Sequence, residues 1–137
     1  MTRPKGILEH FDVEPGFAVG VVLTLPPFPY PDGYARLSKG LPISLDRLDD
    51  QEKEHVHIGE LARRGNTLVA AGTVGYAMVV TGVGRTPEEA RRRAYATVRK
   101  VIIPNVRYRL DIGERFLREN AALLRKWGWF SPDLGDH

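Results

Sequence analysis

The sequence predicts an α+β domain: a small antiparallel sheet or flattened barrel, with one long helix and a C-terminal helix packed on one side. Short apolar and alternating runs fill the chain as far as Thr81. A helical apolar period with strong start signals follows from Thr86, and a second such period follows Asp111. Strands first and helices after are the order of a segregated α+β architecture.

The elements follow in chain order. Met1 to Gly16 reads as a lead-in, with turn formers from Asp12 to Gly16. Phe17 to Thr24 is near-continuously apolar, which predicts a strand buried on both faces. The next stretch, Leu25 to Tyr34, carries four prolines in six residues and excludes a helix. It reads as a rigid surface loop or, alternatively, as a docking ledge built on Phe28, Tyr30 and Tyr34. Ser44 to Glu54 reads as a solvated acidic loop. Glu54 to Gly59 alternates, so His55 and His57 share one strand face. A His-x-His pair can hold a metal, but no third ligand lies near it, and hydrogen-bonded structural histidines are the default. Glu60 to Gly65 is expected to be a polar connection. Asn66–Ala70 and Gly75–Thr81 are expected to be two strands of one antiparallel hairpin.

Thr86-Pro87-Glu88-Glu89 is a helix start: Thr86 as N-cap, Pro87 at the first helical position, and Glu89 completing a reciprocal capping box. Ala90, Ala94, Val98 and Val101 recur at helical spacing, and Tyr95 and Ile102 widen that stripe. Arg92, Arg93, Arg99 and Lys100 fall on the opposite, solvated face. Arg91 sits at the edge of the apolar face and must snorkel out or find a partner. Pro104 is expected to stop the helix at about Ile102 or Ile103. Asp111 can cap the second helix with Glu114. This helix is expected over Ile112 to Trp127, with Ile112, Phe116, Leu117, Leu124 and Trp127 as its stripe and Gly128 at its end. Trp129 and Phe130 are expected to tuck back onto the body, with Ser131 to His137 frayed.

Composition narrows the chemistry. The chain has 137 residues, enough for one domain with a real core, and a net charge of +3. It contains no cysteine, which excludes a disulfide scaffold, thiol catalysis and thiolate metal sites, and fits a cytoplasmic protein. The first ten residues have no apolar core of signal-peptide length, and the longest apolar run is too short to span a bilayer. The mild positive charge suits a phosphorylated metabolite better than a nucleic acid, since no stacking aromatics interleave the basic helix face. No membrane partner is expected.

Two segments together carry a family resemblance. The first is the valine-rich run to Thr81 followed by Gly82-Val-Gly-Arg-Thr-Pro-Glu-Glu-Ala-Arg91 and Ala94-Tyr95. The second is Tyr108-Arg109-Leu110-Asp111-Ile112-Gly113. In this order and separation they resemble the C-terminal domain of phosphoribosylamine–glycine ligase, the ATP-grasp ligase of purine biosynthesis. The resemblance spans about Phe17 to Phe116, leaving residues 1–16 as lead-in and 117–137 as a C-terminal extension. It implies a barrel-like fold, and a role in ATP-dependent carbon–nitrogen bond formation. It implies an ATP-grasp core, in the same chain or a separate one, that carries ATP and magnesium. The 137 residues alone are then expected to bind neither cofactor and to lack catalytic residues. The alternative is a non-catalytic binding module that reuses the fold. His57-Ile58-Gly59-Glu60 aligns with a family His-Ala-Gly-Thr segment and loses the threonine. Gly72 is kept in the family's next glycine turn, but the turn's arginine is absent and the loop is about two residues longer.

Two constellations are singled out as sites. Gly82, Gly84 and Arg85, before a helix N-terminus, form a possible phosphate-binding turn, although neither a dinucleotide fingerprint nor a P-loop is complete and Pro87 removes one donor. A structural turn is the plainer reading. Arg109 and Asp111 can pair with each other on one face. The resemblance implies a place for Tyr108, Arg109 and Asp111 at a substrate or inter-domain cleft.

Overall fold

The computed structural model describes residues 14–129. Six strands form two antiparallel three-stranded sheets. In the first, β1 (Phe17–Thr24) and β3 (Val56–Ile58) flank the long β6 (Tyr76–Gly84). In the second, β2 (Pro42–Ile43) and β4 (Leu61–Arg64) flank β5 (Thr67–Ala70). Helix α3 (Pro87–Val98) lies on β6 and β1. One core joins these layers: Val21 and Leu23 of β1, Met78 and Val80 of β6, Ile43 and Ala70 of the second sheet, and Ala94, Tyr95 and Val98 of α3. The fold is the expected mixture of helices and small antiparallel sheets.

Several expectations are corrected. The hairpin is β4–β5, not β5–β6. Arg64 pairs with Thr67 across Gly65 and Asn66, with Gly65 at φ +61. A glycine-asparagine pair is a two-residue hairpin signal. β6 then leaves for the other sheet because the Ala71–Val74 loop is gripped from outside. The Glu60 carboxylate accepts the backbone N–H groups of Thr73, Val74 and Gly75 at 3.1, 3.1 and 2.9 Å. β1 is buried on one face only. Val21 and Leu23 point inward, while Ala18, Gly20 and Val22 point outward, because α3 and the core cover a single side of the sheet.

The expected loop over Ser44–Glu54 contains a short helix, α2 (Asp50–Glu54), with no buried residue. Asp49 caps it and Glu52 returns the bond, a D-x-x-E box that reads directly from the sequence. Tyr34 is not part of a docking ledge. It opens the four-residue helix α1 (Tyr34–Leu37), is buried, and donates its hydroxyl hydrogen to the Ala71 carbonyl.

Helix α3 ends at Val98, earlier than Pro104 requires. Lys100 and Val101 close tight turns onto Thr97 and Val98, and Ile102 exchanges both backbone hydrogen bonds with Ser44. Val101 therefore stays buried beyond the helix, whereas Ile102 is exposed. Thr86 caps α3 by accepting the Glu89 N–H at 3.1 Å. The reciprocal half is displaced by one residue: Glu89 accepts from the Arg85 N–H at 3.0 Å.

The C-terminal helix opens at Glu114, passes through a π-helical stretch, Phe116–Asn120, and continues as α4 (Ala121–Lys126). Asp111 does not cap it, because its carboxylate faces Arg109 instead. The helix ends as expected: Gly128 at φ +74 and Trp129 bond back to Arg125 and Leu124, a Schellman arrangement. Ile112, Phe116, Leu117 and Leu124 are half-buried, but Trp127 and Trp129 are exposed, the inward face of this last stretch being carried by Ala121 and Leu124. Phe130 to His137 and Met1 to Val13 lie outside the described residues, as does the expected frayed end.

Candidate functional site

The segment Tyr108–Gly113 has the geometry of a presented surface. It leaves the body at Arg107, which exchanges backbone hydrogen bonds with Thr24 at the end of β1. It is then held by two side chains of α3, one turn apart and on the same helix face. The Tyr95 hydroxyl donates to the Arg109 carbonyl at 2.6 Å and accepts the Ile112 N–H at 3.1 Å. Arg91 donates through Nε to the Ile112 carbonyl and through Nη2 to the Leu110 carbonyl, both at 2.8 Å. Its guanidinium also lies 5.0 Å from the centre of the Tyr95 ring and 3.5 Å from Glu114. The edge-of-face arginine thus has its partners, as the sequence required. Tyr108 packs its ring 6.5 Å from that of Tyr95. Gly113, at φ +84, turns the chain into the last helix.

With its backbone fixed, the segment turns Arg109, Leu110 and Asp111 outward. Arg109 and Asp111 form the expected pair, a bidentate fork at 2.9 and 2.7 Å. The hydrogen bond from Arg109 holds the Asp111 carboxyl below its ordinary range, and Asp111 in turn raises Arg109. Both therefore stay charged across the physiological range, although an exposed pair adds little to stability. Leu110 stands 71% exposed between them. Beside this segment runs an apolar groove of ≈ 300 Å³, lined by Phe17, Val19, Pro87, Ile112, Phe116 and Leu117 among others.

The second predicted constellation is placed differently. Gly82 and Gly84 are residues of β6, not of a turn. A methyl group on Gly82 would collide with the Ala90 carbonyl and the Ala94 nitrogen, and one on Gly84 would stand 2.8 Å from the Ala90 nitrogen. Their missing side chains let α3 approach the sheet. The Arg85 N–H is already taken by Glu89, so the geometry gives this stretch a packing role rather than an open cradle of donors.

His55 and His57 share a face as expected, and both rings reach the Thr81 hydroxyl, at 3.2 and 3.1 Å. Among the described residues, no group of three or more His, Asp or Glu could hold a metal ion. No helix there is long and apolar enough to cross a membrane.

Two contributors were not singled out as site residues. Tyr95 was read as part of the core stripe, and nothing in its spacing distinguishes a ring whose hydroxyl crosslinks a distant loop. Glu60 was read as part of a connection. Burial on its own would raise its carboxyl, but the N–H donors of Gly75, Val74, Thr73 and Tyr76 prevail and lower it. It stands where the resembled segment has threonine, and it anchors the longer loop that lacks the arginine.

The family model described as phosphoribosylglycinamide synthetase, C domain, matches residues 18–115. A phosphoribosylamine–glycine ligase from Rhizobium meliloti (strain 1021) is 39% identical over 93 residues, covering 68% of this chain and 21% of that protein. The crystal structure of phosphoribosylamine–glycine ligase from Thermotoga maritima aligns with a TM-score of 0.57 at 35% identity, covering 71% of this chain and 22% of that one. This chain thus spans about a fifth of the length of these relatives. Arg91, Tyr95 and the whole Tyr108–Gly113 segment lie inside the matched region, and the chain belongs to the phosphoribosylglycinamide synthetase C-domain family.

Proposed function

We propose that this chain works as the C-terminal domain of a phosphoribosylamine–glycine ligase, or as a stand-alone equivalent, in cytoplasmic purine biosynthesis. The observation that carries the reading is the match over residues 18–115, which includes the presented Arg109–Asp111 pair and the helix that holds it. In this reading an ATP-grasp core, on the same chain or another, binds ATP and magnesium. The glycine carboxylate is activated there as an acyl phosphate, and the amine of phosphoribosylamine displaces the phosphate. In this reading phosphoryl transfer belongs to that core, as the family resemblance implies. This domain closes one side of the cleft with the Tyr108–Asp111 segment: Arg109 and Asp111 face the core or the phosphorylated substrate, and Tyr108 backs them against Tyr95.

The test joins the full 137-residue chain behind the remainder of the Rhizobium meliloti ligase, in place of that enzyme's own C domain. Formation of glycinamide ribonucleotide is then measured from phosphoribosylamine, glycine and ATP. The joined protein is expected to turn over, and the 137 residues alone are expected not to. Turnover by the purified 137 residues would overturn the assignment of the chemistry to the core. A joined protein that folds but is as inactive as the ligase remainder without a C domain would favour a binding module instead.

A further inference from the structure

The two segments that carry the family likeness, Ala90-Arg91 to Ala94-Tyr95 and Tyr108 to Gly113, are one physical unit. Four hydrogen bonds join them, and each has one end on Arg91 or Tyr95 and the other on backbone between Arg109 and Ile112. We infer that Tyr95 and Arg91 are positioning residues for the cleft: they set the backbone of Arg109–Ile112, so that the Arg109–Asp111 fork meets its partner preformed. The inference rests on the cleft reading and adds the residues that shape it.

The chemistry is specific to these side chains. The Tyr95 hydroxyl serves at once as donor to Arg109 and as acceptor from Ile112, three residues apart, and so pins both ends of the exposed turn. Phenylalanine fills the same core volume and can do neither. Arg91 supplies two donors in a planar fork to two carbonyls, two residues apart, a geometry that the point charge of lysine does not reproduce. Its position over the Tyr95 ring fixes both side chains together. Arg109, Leu110 and Asp111 make no comparable contact with the core, and without the clamp the segment has its ends at Thr24 and the last helix as restraints. Preformed loops bind with less ordering cost than mobile ones.

The test uses Tyr95→Phe, with Arg91→Lys as the second variant should the first fail to fold. In the 137-residue chain, amide hydrogen exchange is read at Ile112 relative to Val80, a fully buried strand residue that reports global opening. In the joined ligase, kcat/KM is read for Tyr95→Phe, Arg109→Ala and the double variant. Exchange at Ile112 relative to Val80 is expected to rise at least roughly tenfold, since the hydroxyl is that amide's acceptor. Tyr95→Phe is expected to lower kcat/KM, and to lower it no further once Arg109 is alanine, because Tyr95 acts through Arg109. An unchanged exchange ratio overturns the inference. So does a loss of kcat/KM that is the same with and without Arg109. If Arg109→Ala itself leaves kcat/KM intact, the cleft reading falls, and the positioning role falls with it.

Discussion

Helix α3 buries five of its twelve residues, whereas the run from Phe116 to Lys126 buries Ala121 alone. Both were read from the same kind of apolar period, so the period does not make the difference. What lies opposite does. α3 faces Gly82 and Gly84, whose bare Cα atoms let its backbone settle against β6, and it starts with a side-chain cap. The C-terminal run has no side-chain cap, passes through π geometry from Phe116 to Asn120, and turns only Ala121 fully inward among its described residues. The family match ends at residue 115, where this second, thinner packing begins. An amphipathic pattern states what a helix offers, and burial depends on a partner surface shaped to take it.

The sharpest way to break this contrast is Gly82→Ala. The added methyl would meet the Ala90 carbonyl, the Ala94 nitrogen and the Ala94 Cα, all backbone atoms that cannot rotate away. Helix and sheet must separate, and the expected cost is about 3 kcal/mol, at the upper end for overpacked cores. Urea denaturation checks it. An unchanged midpoint would mean that α3 does not depend on the close approach.

The same two glycines mark where sequence reasoning ran short. Gly-x-Gly before a helix start looks identical whether it turns the chain or ends a strand under a helix, and the distinction lies in Ala90 and Ala94, which come later in the chain. The helix start itself was legible, since Thr86 caps and Pro87 opens α3. Arg91 was legible as a residue in need of a partner, because its place on the helical wheel is local information. The partner was not, because Leu110 and Ile112 are 19 and 21 residues away and the bonds go to carbonyls that carry no sequence signature. Gly65-Asn66 and the Asp49–Glu52 box are local signals that read directly from the sequence. The pairing of Arg109 with Asp111 was legible because it needs only two residues of separation.

A smaller effect sharpens the comparison at the helix starts. Thr86→Ala removes the oxygen that accepts the Glu89 N–H, and is expected to cost about 1 kcal/mol. The Glu89 bond to the Arg85 N–H survives the change and keeps the loss from growing. The expected signature is a lower denaturation midpoint at constant slope. No shift at all would mean that the displaced glutamate bond carries the start of α3 without the threonine.

The smallest expected effect lies at the other helix. Trp127 was assigned by its spacing to an apolar stripe, and a tryptophan buried there would cost roughly 3–5 kcal/mol to truncate. In the structure it is 62% exposed, and the neighbouring Trp129 is 81% exposed. The end of α4 is closed by backbone bonds from Gly128 and Trp129 to Arg125 and Leu124, which need no indole. Truncation therefore removes little buried area and leaves no polar group unpaired. Trp127→Ala is expected to change stability by less than about 0.5 kcal/mol, as for most surface substitutions. Far-ultraviolet circular dichroism should keep its helical signal, and the urea slope should not move. A loss near the buried value would place the indole against a surface, and the contrast between the two helices would then be one of degree only.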